Sequence, residues 1–135
     1  MTKAQINEFS MRISQSNKTQ VVVITYEIII NYLDSGQDCL DNNNVTDFVF
    51  NIRKARQFVN QLSSALDFSH KISFELMNLY MYANECLVKS EIRGKNINLD
   101  VIRNMMVKLR DSFETISKED ISAPVMQGTE KVYAN

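Results

Sequence analysis

Ten residues, Val21 to Ile30 (VVVITYEIII), are mostly β-branched. Taken alone they favour a strand, because such side chains are stiff at χ1 and suit a pleated surface. The flanking sequence argues otherwise. Asn17-Lys18-Thr19-Gln20 has the form of a capping box: Asn17 can accept from a backbone N–H of a first helical turn, and Gln20 can reach back to the cap. Beyond it, Val22, Tyr26, Ile29, Leu33, Gly36 and Leu40 recur at heptad spacing, while Glu27, Asn31, Asp34 and Asp38 gather on another side. A strand would alternate with period two. The spacing predicts a helix from about Asn17, its β-branched residues costing roughly a few tenths of a kcal/mol each relative to Ala, which packing overcomes.

The same periodicity returns three times. Asn42, Asn43 and Asn44 form a turn cluster, and Asn44 is placed to cap a second helix with Asp47 in its first turn. Phe48, Ile52, Ala55, Val59, Leu62 and Leu66 then repeat every three or four residues. After a break at 67–70, Ile72, Leu76, Leu79, Tyr80, Ala83 and Leu87 give a third face, ending near Gly94. Asn98 is the expected cap of a fourth helix carrying Ile102, Met105, Met106, Leu109, Phe113 and Ile116. Short connections make sequential helices antiparallel neighbours. The expected fold is all-α: an antiparallel up-down four-helix bundle over 17–118 with a short N-terminal arm or helix, 1–16. The closing stretch 119–135 has no periodicity and is expected to be a mobile tail.

Composition agrees with this reading. The chain has 135 residues, only 3 Gly and 1 Pro, and Pro124 lies near its end, so little interrupts long helices. That length suits one domain with a core of its own. The net charge of −1 comes from mixed charges, which excludes a nucleic-acid footprint or an anionic-membrane surface. The run 21–30 is too short to span a bilayer, and no membrane insertion is expected. MTKAQINEF lacks the apolar run of a secretory leader, and Cys39 and Cys86 share no metal-type spacing. Both features lead us to expect a cytosolic protein with reduced thiols.

Little in the sequence carries chemistry. His70, the one histidine, falls in a predicted loop with no nucleophile beside it. No Glu-x-x-His pairs exist for a di-iron bundle, no haem-attachment motif accompanies the methionines, and no glycine-rich phosphate loop occurs. Arg53, Lys54 and Arg56 make one basic cluster, best read as a solvated helix face. No cofactor, metal site or catalytic residue is expected.

The informative feature is surplus. Beside the stripe of the first long helix runs a second one, Val21, Ile24, Ile28, Tyr32 and Cys39, and Val23 and Ile30 widen it. Its apolar arc is roughly twice the stripe of a little over about 100° that a bundle helix usually needs. The third long helix repeats this with Phe74, Met77, Met81 and Val88. Either the first long helix is central and packs on three neighbours, or these residues line a groove for an apolar partner segment, where methionines re-pack around varied side chains. We assign Val21, Ile24, Ile28, Tyr32, Phe74, Met77 and Met81 to the groove. Ile6, Phe9 and Ile13, spaced by three and four residues, would let the arm cover it when no partner is bound.

Four segments, in order, resemble one family. NKTQVVVITYE (17–27) resembles the first-helix signature of the FliS family of flagellin export chaperones: a polar cap, Gln20, an apolar run, then Tyr26 and Glu27. KARQFVNQLSSALDF (54–68) is similar to the end of the family's second helix, with Ala55, Leu62, Leu66 and Asp67 in place. ISFELMNLYMYANECLVKS (72–90) is similar to the third, matching at Leu79, Tyr80 and Tyr82, and LRDSFETI (109–116) to the fourth, with Phe113 where the family often has Trp. Phe9 stands for the family's N-terminal Tyr, Lys18 for its Pro after the cap, and Ile28 for its glycine. The resemblance implies a cytosolic chaperone that binds the disordered C-terminal segment of flagellin, prevents early polymerisation, and aids delivery to the flagellar export apparatus. It also implies an N-terminal segment displaced by flagellin. The alternative from another class is a structural helical-bundle adaptor or dimerisation module.

Overall fold

The computed structural model describes residues 1–118, so the expected tail at 119–135 lies outside the described residues. Five helices run in chain order: α1 (Lys3–Ser14), α2 (Lys18–Asp41), α3 (Val45–Ser64), α4 (Ile72–Arg93) and α5 (Leu99–Lys118). The four long ones form the antiparallel bundle, and α1 is an additional short helix ahead of it.

The β-branched run is helical. Asn17 caps α2 as a full capping box: its side-chain oxygen accepts from the Gln20 N–H, and the Gln20 side chain accepts from the Asn17 N–H, both at 2.9 Å. Asn44 caps α3, accepting from the Asp47 N–H at 3.1 Å. Gly94 ends α4 in the left-handed region at φ 64°. A Cβ there would approach Val45 Cγ1 to 2.9 Å, so both backbone and space favour glycine. The start of α5 differs from expectation. Asn98 adopts φ 57°, and Asn96 Oδ1 accepts from the Leu99 N–H at 2.9 Å. Asn98 does hold the cap position, its carbonyl accepting from the Ile102 N–H at 3.2 Å, but the capping side chain is that of Asn96.

Packing centres on α2. It lies along α3 on one side and α5 on the other, while α3 also packs on α4. Tyr26, Ile29, Phe48, Ile52, Val59, Leu62, Tyr80, Leu87, Ile102 and Met106 are fully enclosed. Gly36 lets α2 and α3 close in: a Cβ there would sit 3.2 Å from Ile52 Cδ1. Across the core, the Tyr26 and Tyr80 hydroxyls share a hydrogen bond of 2.5 Å, and the Tyr26 ring meets Phe113 at 5.7 Å. A paired hydroxyl is what permits a tyrosine in such a place.

Ion pairs fix the outer register. Arg103 grips Asp34 with two bonds, at 2.6 and 3.1 Å, tying α5 to α2. Arg53 and Arg56 both reach Glu91 at 2.9 Å, tying α3 to α4. Arg53 and Arg56 of the basic cluster therefore form a clasp between helices, while Lys54 lies 5.6 Å from the Phe50 ring on its own helix. The inner face of α4 also differs from expectation: Ile72 and Leu79 are exposed, and the inner stripe runs through Ser73, Leu76, Tyr80, Ala83, Leu87 and Ser90. Small polar residues can occupy inner positions here because their hydroxyls find backbone partners: Ser73 donates to the Asp67 carbonyl at 2.6 Å, and Ser90 accepts from the Ile97 N–H at 3.0 Å. Among the described residues no helix is long and apolar enough to cross a membrane.

Candidate partner groove beneath the N-terminal helix

The outward face of α2 holds Ile24 and Ile28, separated by one turn, with Glu27 between them. In a bundle helix this direction would meet water. Here both isoleucines are only 3% exposed, and α1 packs against this helix. Local signals suffice to make α1 a helix. Thr2 and Gln5 form a second capping box, with bonds of 2.8 and 3.2 Å. Yet α1 contains no buried residue. Phe9 and Ile13 are half-buried against the core and Ile6 is exposed. The helix thus lies on the bundle without entering it.

One strong polar contact holds it. Arg12 Nη1 donates to Glu27 Oε2 at 2.7 Å, and the guanidinium stands 5.6 Å from the centre of the Phe9 ring. The hydrogen bond to Glu27 raises the Arg12 pKa above its already high ordinary value; burial opposes this, and the charges of Glu27, Glu8 and Glu114 reinforce it. Arg12 is therefore a permanent cation anchored on α2.

A cleft opens on each side of α1. Towards α3, a space of ≈ 400 Å³ has apolar walls from Ile6, Phe9 and Ile13 of α1, Ile28 and Tyr32 of α2 and Phe58 of α3, with Ser10, Lys54, Gln57 and Gln61 at its polar edge. Towards α5, a space of ≈ 360 Å³ is lined by Arg12, Val23, Ile24, Glu27 and Glu114 among others. The first is mainly apolar. Tyr32 stacks on Phe58 at 6.0 Å, and burial pushes its phenol pKa up. Gln61 Oε1 is buried there without a hydrogen-bond partner. A groove with apolar walls and an incompletely filling cover suits exchange of one helical segment for another.

The residues assigned to a groove from sequence do not come together in one place. Ile24, Ile28 and Tyr32 line the clefts beside α1, as do Ile6, Phe9 and Ile13 from the arm. Val21 is 1% exposed and lines neither cleft. Phe74, Met77 and Met81 line neither cleft either. Phe74 and Met81 are 57% and 62% exposed on α4, Met77 is half-buried, and Phe74 touches Phe68 at 5.2 Å between ring centres. Three contributors escaped sequence reasoning. Phe58 falls beside the core stripe of α3, Arg12 carries no periodic signal, and Glu27 stands out only through the family resemblance and not as a partner of the arm. The available signal for the last two was their adjacency, in sequence, to Ile13 and Ile28.

His70 serves the α3–α4 turn, with Nε2 3.6 Å from the Asp67 carboxylate. Cys39 is half-buried and Cys86 buried, and both are free thiols.

Among known proteins, the family model described as flagellar protein FliS matches residues 1–120 of this chain. No curated protein matches.

Proposed function

Because the chain belongs to the FliS family of flagellar export chaperones, we propose that its client is the disordered C-terminal segment of flagellin, held in the cytosol until export. The observation that carries this reading is the covered outer face of α2. Ile24 and Ile28 are 3% exposed and line the clefts beside a helix that buries none of its own residues. That is the state expected of a binding surface protected by a weakly held cover, since bare apolar patches of this kind are liabilities.

Binding in this reading is coupled folding. The client lays apolar anchors at helical spacing against Ile24, Ile28 and Tyr32 in place of Phe9 and Ile13. The strip of exposed Phe74 and Met81 with half-buried Met77 on α4 supplies a second contact, which a long disordered segment can reach by wrapping around the bundle. A client engaged this way is withheld from polymerisation and presented to the export apparatus. No bond is made or broken, so the chain needs no catalytic group or cofactor. A calorimetric titration of the full chain with the C-terminal segment of flagellin from the same organism tests the proposal. Saturable binding with an increase in client helicity is expected, and absence of binding would favour a structural adaptor.

A further inference from the structure

We infer that Glu27 makes the groove selective for a helical segment that carries a cation at the place now held by Arg12, three residues after one apolar anchor and one residue before the next. The inference rests on the proposed function and deepens it by naming what the client must offer besides apolar side chains.

Glu27 interrupts an apolar face. Its neighbours one turn apart, Ile24 and Ile28, are buried, and its own side chain is only 23% exposed. In the present arrangement its charge is met by Arg12 at 2.7 Å. Any segment that displaces α1 takes Arg12 away while excluding water from the same face. A carboxylate left there without a counter-charge would be desolvated and unpaired, which opposes binding. A segment bringing its own Arg or Lys restores the pair, and one bringing a carboxylate at that place meets repulsion from Glu27, because the other acid of this cleft, Glu114, is paired with Lys118 at 3.7 Å. Discrimination thus comes from the penalty on the wrong segment more than from attraction to the right one.

The arm shows the pattern the groove accepts. Phe9, Arg12 and Ile13 place an apolar anchor, a cation and a second anchor on one side of α1, because residues three and four apart share a helix face. The ring of Phe9 also lies against the Arg12 guanidinium, so the anchor orients the cation.

The test uses the full chain and two synthetic peptides: residues 2–15 of this sequence, and the same peptide with Arg12→Glu. The chain's own arm competes equally with both, so the ratio of their affinities reads charge selection alone. We expect the first peptide to bind about fivefold more tightly, the scale of a partly exposed ion pair. In the Glu27→Gln chain the preference should vanish, and in the Glu27→Lys chain it should reverse. Equal affinities in the unaltered chain, a preference unmoved by either substitution, or no binding of either peptide at millimolar concentration would each overturn the inference. Should the charge reversal disturb folding, seen by circular dichroism, the isosteric Glu27→Gln chain and the unaltered chain still decide. A parallel titration with the flagellin segment separates the two ideas. Flagellin binding without charge selection overturns only the inference, and charge selection without flagellin binding overturns only the functional reading.

Discussion

α1 and α2 begin the same way and end up held very differently. Each opens with a capping box of matching geometry, Thr2 with Gln5 and Asn17 with Gln20. Yet thirteen of the 24 residues of α2 are buried, while none of the 12 in α1 is. Capping and periodicity decide that a segment is helical; the apolar area it shares with neighbours decides how firmly it stays. In the proposed reading, that difference supplies a firmly held binding surface and a detachable cover within one short stretch of chain.

The comparison is most easily broken by truncating one anchor in each helix. Ile29→Ala in α2 should destabilise the protein by about 3 kcal/mol, since it empties a fully enclosed position. Phe9→Ala in α1 should cost less than about 1 kcal/mol, because little of its burial is complete. Urea unfolding of both variants measures the two values, and equal costs would erase the distinction.

Charging the face between them should give the next largest effect. Ile28→Asp is expected to leave the bundle helical and to release α1, because the new carboxylate can reach water once the cover lifts. Affinity for the flagellin segment should fall by roughly tenfold or more, a change of about 1.4 kcal/mol. Circular dichroism together with a binding titration checks this. Global unfolding would mean that the outer face of α2 belongs to the core.

Removing the cover is a gentler change. Deleting residues 1–13 should alter flagellin affinity by about tenfold or less, because the groove is freed only for the fraction of time α1 had occupied it. The deleted protein should self-associate more readily, through its bared apolar face. Unchanged affinity and unchanged light scattering would show that α1 covers nothing of consequence.

The smallest effect lies in a region remote from both helices and serves as a control. Hydrogen bonds from the Ser69 N–H and side chain hold the Asp67 carboxyl below its ordinary pKa of 3.8, with the charge of His70 adding to this. A carboxyl whose pKa is lowered by folding stabilises the folded state above its ordinary pKa, and that contribution is lost as pH falls through the lowered value. The urea midpoint should therefore drop slightly more between pH 6 and pH 3 in the unaltered chain than in Asp67→Asn. Neither should change the exposure of α1.

These contrasts also explain what the sequence disclosed. The caps at Asn17 and Asn44 and the stripes of α2, α3 and α5 were legible because they depend on residues within a few positions of one another. That locality is why VVVITYEIII reads correctly as helix despite its propensity. Ile72 and Leu79 were misplaced because spacing alone fits two adjacent faces of α4, and only the position of α3 chooses between them. At α5 the cap position, Asn98, was legible, but not that the capping side chain comes from Asn96, since that depends on the left-handed backbone at Asn98. The apolar surplus of α2 was visible, but its occupant was not. The Arg12–Glu27 pair joins residues fifteen positions apart, and it depends on how α1 folds back, which no periodicity encodes.

Hydrogen exchange on the full chain, with and without the C-terminal segment of flagellin from the same organism, tests the central claim most directly. If α1 is a displaceable cover, binding will abolish whatever protection the amides of Lys3–Ser14 have in the free protein, while the amides of Val22–Leu33 in α2 stay protected or slow further. Binding of the segment with the protection of α1 unchanged would contradict the account.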